Sequence, residues 1–85
     1  MSDQTSFTSA TLHRVDPSRN MARYYTVSVE VALFDAWSCT RCFGRIGSRG
    51  GRVMIGLHES YEAAQSELRA ILRRKMTRGY RPAGS

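Results

Sequence analysis

The spacing of apolar residues changes once along the chain, and this change limits the folds open to it. In the first part apolar and polar side chains alternate, and the longest run places on one side Tyr25, Val27, Val29, Val31 and Leu33. A period of two with many β-branched residues is typical of a half-buried antiparallel strand. From Tyr61 the spacing becomes three and four, as in an amphipathic helix. Strands that all precede one helix predict an α+β domain.

Turn signals divide the first part into strands. Pro and Asx residues mark a turn at 16–20, Asp35-Ala36 turns the chain, and a glycine-rich turn covers 47–51. The predicted strands cover 11–15, 21–34, 37–46 and 53–57. The predicted fold is a twisted antiparallel sheet of about four strands, with one C-terminal amphipathic helix packed on one face.

The helix has clear start and stop signals. Ser60 is a good N-cap, Glu62 lies in the first turn, and Gly79 is suited to the position just after the last turn. These signals predict a helix of about 17 residues. Its predicted core side chains are Leu68, Ile71, Leu72 and Met76.

The length of 85 residues predicts one domain. We assign 1–10 to a flexible tail, 11–81 to the domain and 82–85 to a second tail. No apolar run approaches the roughly 18 residues of a membrane span, and the first residues do not resemble a secretory signal. We therefore expect a cytoplasmic bacterial protein with no membrane partner.

The two cysteines, Cys39 and Cys42, do not predict a metal or redox site. A structural zinc site needs four ligands, and a redox pair of this spacing normally begins a helix. Here the pair lies in a predicted strand, where positions three apart point to opposite faces. We expect one buried thiol, one thiol near the surface, and no cofactor.

Positive charge is concentrated in the second half of the chain. The net charge is +6, and residues 41–85 hold ten basic residues against three acidic ones. One cluster surrounds Phe43 and comprises Arg41, Arg45, Arg49 and Arg52. A second lies in the last turns of the helix and is followed by Arg81; its members in those turns are Arg69, Arg73, Arg74, Lys75 and Arg78.

The basic helix end has two interpretations. The helix dipole favours cations at a C-terminus, and this accounts for two or three of them. None of the basic residues here has an acidic residue three or four positions away, so the surplus favours an anionic partner such as nucleic acid. A solvated basic end remains the alternative.

The segment Phe43-Gly44-Arg45-Ile46-Gly47-Ser48-Arg49-Gly50-Gly51 resembles the signature of the WGR domain, which is named for its Trp-Gly-Arg motif. The resemblance extends over about residues 11–81. It includes Leu12-His-Arg-Val-Asp-Pro with Asn20 and Tyr24-Tyr25, Phe34-Asp-Ala-Trp37-Ser38, Tyr61-Glu-Ala-Ala and Lys75-Met-Thr-Arg-Gly79-Tyr80.

The resemblance implies an antiparallel sheet with a helix on one side, and it implies DNA binding. In some poly(ADP-ribose) polymerases this domain binds DNA ends, and the motif Trp stacks on a sugar while the Arg helps at the DNA and interdomain contacts. Phe43 and Arg45 match these two positions. The chain departs from the family by Phe43 in place of Trp and by Gly51 where Gln is frequent.

The sequence therefore predicts a non-enzymatic nucleic-acid-binding module, with DNA favoured over RNA. The predicted binding residues are Arg41, Phe43, Arg45, Arg49, Arg52, Arg73, Arg74 and Arg78. Structural alternatives stay open for Phe43, as a half-buried strand residue, and for Arg45, as a hydrogen-bond donor that fixes the turn. The alternative function is a protein-interaction or homodimerisation module with an acidic partner, in which the strand 25–33 offers an open edge. We expect a monomer or a weak homodimer.

Overall fold

A computed structural model describes residues 9–34 and 36–83, so the predicted turn residue Asp35 and most of the first predicted tail lie outside the described residues. A five-stranded antiparallel sheet precedes and follows one helix, which confirms the α+β prediction. In chain order the elements are β1 (Ser9–Asp16), a 3-10 turn (Pro17–Arg19), β2 (Met21–Val31), β3 (Trp37–Arg45), β4 (Arg52–His58), α1 (Tyr61–Thr77) and β5 (Arg81–Pro82). The fifth strand escaped prediction because it has only two residues.

The strand order is β4-β3-β2-β1-β5, so β2 lies in the middle of the sheet. Short connections make β1, β2, β3 and β4 successive antiparallel neighbours. The predicted open edge along 25–33 is therefore wrong, because both edges of β2 are paired. The strand also ends at Val31, and Leu33 lies in a bend beyond it.

The core lies between α1 and the middle of the sheet. Fully or nearly buried apolar residues come from four elements and the residue before β5: Leu12, Tyr25, Val27, Val29, Cys39, Ala64, Leu68, Ile71 and Tyr80. Helix packing thus follows the predicted apolar stripe for Leu68 and Ile71, with Leu72 partly buried.

Exposed residues include Met76, which was predicted to lie in the core, and Val31 and Leu33, which were placed on the apolar side of the predicted strand. Val31 pairs with Trp37 at the end of the sheet, and the strand is over before Leu33. Met76 follows Lys75, which lies against the sheet, and one residue turns the helix by about 100°. Met76 is thereby directed away from the core.

Local signals set the two ends of α1 as predicted. The Ser60 hydroxyl accepts a hydrogen bond from the Ala63 N–H at 3.0 Å, which completes the N-cap. Gly79 has φ +100°, a conformation that favours glycine, and the Tyr80 N–H donates to the Lys75 carbonyl. The chain then returns to pair β5 with β1 at His13 and Leu12. Among the described residues no helix has the length and apolar character needed to cross a membrane.

Register places the alternating residues Val53, Ile55 and Leu57 of β4 on the side of the sheet away from α1. Gly56 pairs with the buried Cys39, so Gly56 faces the helix and its neighbours do not. The alternating residues Val53, Ile55 and Leu57 are 61–67% exposed on the opposite face. Alternation predicted the strand correctly but did not say which of its faces the helix covers.

We predict that Gly51→Ala lowers the free energy of unfolding by about 1–3 kcal/mol, the cost of crowding a packed site. A Cβ at Gly51 would lie 2.6 Å from the Phe43 carbonyl oxygen and would also clash with the Tyr24 hydroxyl. The tyrosine can move, but the carbonyl belongs to the paired strand β3. Urea unfolding measures the change. Arg49→Ala, at an exposed position in the same turn, is the control, and equal stability of the two variants would refute this packing account.

Candidate nucleic-acid interface

The hairpin of β2 and β3 gathers arginines at one end of the sheet. Arg23 pairs with Arg45, and Arg41 pairs with the buried Val27, so all three point to the face that carries α1. Arg52, the first residue of β4, pairs with Phe43 on the same face. Antiparallel pairing thus places side by side arginines that are 22 residues apart in the chain.

The C-terminal end of α1 reaches the same region. The Lys75 ammonium lies 4.4 Å from the centroid of the Tyr25 ring and 5.4 Å from that of Tyr80, within cation–π range. Burial lowers the pKa of Lys75, and the positive charges of Arg78, Arg41, Arg74 and Arg23 lower it further. We call these five residues, Arg23, Arg41, Arg74, Lys75 and Arg78, the Lys75 cluster. It joins β2, β3 and the helix end.

We predict that Lys75 titrates below its ordinary value of 10.5 and that Arg78→Gln raises its pKa. Removing a neighbouring cation removes a repulsion and so lowers the free-energy cost of the protonated Lys75 amine, which raises its pKa. Arg73→Gln, on the outer side of α1, is the control and should leave the pKa unchanged. NMR can follow the titration directly because Lys75 is the single lysine of the chain. A pKa that responds equally to both changes would contradict the cluster.

The sign of the associated stability change follows from the lowered pKa. Between the folded and unfolded pKa of Lys75, the unfolded chain holds the proton more firmly than the folded chain does. This group therefore opposes folding at low pH, and its penalty is relieved as the pH rises through the folded pKa toward 10.5.

Aromatic rings form the floor beneath the cluster. The rings of Phe43 and Tyr25 are stacked, with centroids 5.1 Å apart and planes 14° apart, and Tyr80 meets Tyr25 edge-on at 6.0 Å. Phe43 is half-buried and packs against the core. Since Tyr25 covers one side of the Phe43 ring, only the other side can meet a ligand.

Arg45 has a structural partner. Its guanidinium donates to the Asn20 carbonyl at 3.3 Å and to the Asn20 side-chain oxygen at 3.5 Å. Asn20 has φ 52° and ends the 3-10 turn between β1 and β2. Arg45, the third residue of the predicted motif, therefore links the end of β3 to that turn and remains exposed.

The remaining predicted binding residues are placed differently from one another. Arg74 and Arg78 belong to the Lys75 cluster with Arg41, and Arg52 is exposed beside Phe43. Arg49 is exposed in the turn between β3 and β4. Arg73 lies two residues from Lys75, about 160° around the helix, and so points away from the cluster.

Sequence reasoning missed two members of the cluster, Arg23 and Lys75. Arg23 shares the alternation of Tyr25 and Val27, which was a usable signal for its face. Lys75 falls within the apolar stripe of α1, and a lysine there indicates a charged group brought against the sheet. Neither signal locates the cluster unless the strand register is known.

Carboxylates do not neutralise the cluster within the described ranges 9–34 and 36–83. The ion pairs found there join Arg19 to Asp16 and His58 to Glu67. Glu67 and His58 lie toward the opposite end of the sheet, beside Gly56 of β4. In this part of the chain neither ion pair includes a member of the cluster, of which Arg23, Arg74 and Arg78 are exposed and Arg41 and Lys75 are half-buried.

The cysteines occupy opposite faces of β3, as predicted. Cys39 is buried against the core and Cys42 is half-buried on the other side. Burial raises the pKa of the Cys39 thiol to about 11, and the nearby Glu67 charge adds to this effect. Cys39 is thus a protonated packing residue at neutral pH.

Comparison of the sequence with known protein families identifies the family of this domain. The sequence profile described as the WGR domain matches residues 8–85. The chain belongs to the WGR family. WGR domains are of a nucleic-acid-binding type, and in this one Phe-Gly-Arg at 43–45 stands at the family motif.

A curated relative shares most of this WGR domain. The protein described as "Uncharacterized protein y4dW", from Sinorhizobium fredii (strain NBRC 101917 / NGR234), is 45% identical over 74 residues, which are 87% of this chain. The matched part is 36% of that protein's length, so this chain spans about a third of it.

Proposed function

We propose that this WGR domain binds DNA through the Lys75 cluster and that it acts by binding alone, without catalysis. The observation that carries the proposal is that Arg23 and Arg41 share a face of the sheet with Tyr25, whose ring Lys75 overlies at 4.4 Å from the helix end that also carries Arg74 and Arg78. Holding like charges together is unfavourable unless a polyanion compensates them. A nucleic-acid backbone supplies that compensation.

Phosphate groups suit this arrangement chemically. Planar guanidinium groups donate two parallel hydrogen bonds to a phosphate, whereas the Lys75 ammonium offers a single point charge. Duplex DNA presents a negative charge about every 1.7 Å along its axis. Arg52 and Arg49 extend the basic surface from the Lys75 cluster along the start of β4 and its preceding turn.

Phe43 adds a surface for a flat group in this proposal. The side of the ring opposite Tyr25 can receive a sugar or a base, and aromatic stacking contributes about 1–3 kcal/mol in single-strand binders. Arg45 contributes indirectly in this proposal, because its hydrogen bond to Asn20 holds the turn between β1 and β2. To contact a phosphate itself, Arg45 would use the donors that its hydrogen bonds to Asn20 leave free, or would replace one of those bonds.

Binding without catalysis is supported by the chemistry of the reactive side chains. His58 is engaged with Glu67, and the Cys39 thiol is protonated and buried. His13 lies on β1 opposite Tyr24, on the side of the sheet away from α1 and the Lys75 cluster. These side chains form no nucleophile–base pair in the part of the chain described.

Fluorescence titration with blunt duplex, nicked duplex and single-stranded DNA, and with duplex RNA, tests the proposal. We expect the duplex DNAs to bind, with an affinity that falls steeply from about 50 to 200 mM salt. Absence of binding at the lower salt, or equal affinity at both, would overturn it. Tighter binding of duplex RNA would retain a polyanion site but reject DNA as its ligand.

A further inference from the structure

Strand β4 is an open edge of the sheet. It pairs with β3 on one side, and no described residue pairs with it on the other. The opposite edge is closed by the two-residue β5, which ends in a proline, a residue with no N–H to donate. The unpaired groups of a seven-residue edge strand are a template for another strand.

The side chains of β4 do not protect this edge. Proteins usually guard an exposed edge with charges, prolines or a bulge. The segment 53–57 has none of these; Val53, Ile55 and Leu57 are 61%, 64% and 67% exposed on the face away from α1, and Met54 is 46% exposed on the other. The edge is therefore both unpaired and apolar.

We propose that β4 pairs with β4 of a second copy of this chain, antiparallel, about a two-fold axis at Ile55. In this register the two Ile55 side chains meet, and Val53 lies opposite Leu57 of the second copy. On the helix face Met54 lies opposite Gly56 of the second copy, which has no side chain to oppose it. The strand is thus complementary to itself on both faces.

Charge favours the antiparallel arrangement. Arg52 begins β4 at the basic end of the molecule, whereas His58, bound to Glu67, ends it near Glu59 and Glu62. Antiparallel pairing sets Arg52 opposite His58 of the second copy and its attached carboxylate. A parallel arrangement would instead set the two basic ends side by side. The dimer thereby offsets part of the repulsion between two chains of charge +6.

This inference does not rest on DNA binding, because the β4 segment 53–57 and the Lys75 cluster share no residue, although Arg52 borders both surfaces. Sedimentation of the DNA-free protein over a range of concentrations tests it. We expect a reversible dimer, and we expect Ile55→Lys to weaken it by roughly tenfold or more, since like charges would meet at the axis. Val15→Lys is the matched control, because Val15 is a 60% exposed apolar residue on the same face of the sheet, on β1. It should leave the dimer intact.

Cysteine cross-linking tests the register. Ile55→Cys should form a disulfide-linked dimer on mild oxidation, because the two Ile55 positions face each other across the axis. Val53→Cys should not, since the two copies of that position are about four residues apart along the strands. The unmodified chain, which keeps both native cysteines, gives the background.

The possible results separate the proposal from its competitors. A chain that remains monomeric on its own, as it would if β4 received a strand from a different protein, overturns the proposal. A dimer that withstands Ile55→Lys overturns it as well, as does equal cross-linking of the two cysteine variants. Circular dichroism checks that the exposed substitutions leave the fold intact.

Discussion

Replacing Arg23, Arg41 and Arg78 together by glutamine is expected to lower DNA affinity by about a hundredfold at low salt. Each lost cation removes one phosphate contact and the counterion release that accompanies it, worth roughly 1 kcal/mol per contact. The three residues come from β2, β3 and the end of α1, and all three act on Lys75. Fluorescence anisotropy with a short duplex measures the change.

A matched variant separates this local effect from a change in net charge. Glutamine at Arg19, Arg69 and Arg73 removes the same number of positive charges, but from exposed residues outside the cluster. We expect an affinity loss of only about threefold, because screening weakens charges distant from the bound phosphates. Equal losses in the two variants would mean that overall charge, and not the Lys75 cluster, determines binding.

Ile71→Ala is expected to lower the free energy of unfolding by about 2–5 kcal/mol. Ile71 is 1% exposed and is among the largest fully buried side chains, in contact with the core beneath α1. A domain of 85 residues has roughly 4–13 kcal/mol of stability in total, so the variant is expected to lose a large part of it. Urea unfolding followed by circular dichroism measures the change.

Met76→Ala provides the comparison on the same helix. Met76 is 41% exposed, so truncating it removes little buried area, and we expect a loss below about 1 kcal/mol. Both residues were predicted to be core from their spacing, and the structure distinguishes them. If Met76→Ala cost as much as Ile71→Ala, the orientation of the last helical turn would be incorrect.

Local signals were sufficient to predict most of the secondary structure. The alternation around Val27 and Val29 specifies a half-buried strand because successive strand side chains point to opposite faces. Ser60 and Gly79 specify the helix ends because each satisfies or permits a backbone conformation at its own position. These are short-range effects, and a sequence displays them directly.

Properties that depend on distant partners were less accessible. Alternation in β4 is the same whichever face is covered, and only pairing with β3 shows that Val53, Ile55 and Leu57 face outward. The central place of β2 likewise follows from the strand order and not from its composition. A strand of two residues, such as β5, shows no alternation in the sequence. It pairs with β1 directly after the buried Tyr80.

The candidate site shows the same division. The motif and the charge asymmetry pointed to Arg41, Phe43 and Arg45, but Arg23 joins them only through its pairing opposite Arg45. Helical spacing shows that Arg74 and Arg78 point toward the cluster and Arg73 away from it, but only after the side of α1 that packs on the sheet is known. The stacking of Phe43 on Tyr25 follows from their register across β2 and β3.

The salt dependence of DNA binding tests the central claim most directly. For the unmodified chain we expect the logarithm of the affinity to fall with the logarithm of salt concentration with a slope of about −4.5, which is about 0.9 unit for each of the five cluster cations in contact with a phosphate. The variant lacking Arg23, Arg41 and Arg78 should show a slope of about −2, because two cluster cations remain, and the variant lacking Arg19, Arg69 and Arg73 should keep the original slope. A slope near zero for the unmodified chain, or the same slope in all three proteins, would contradict binding through the Lys75 cluster.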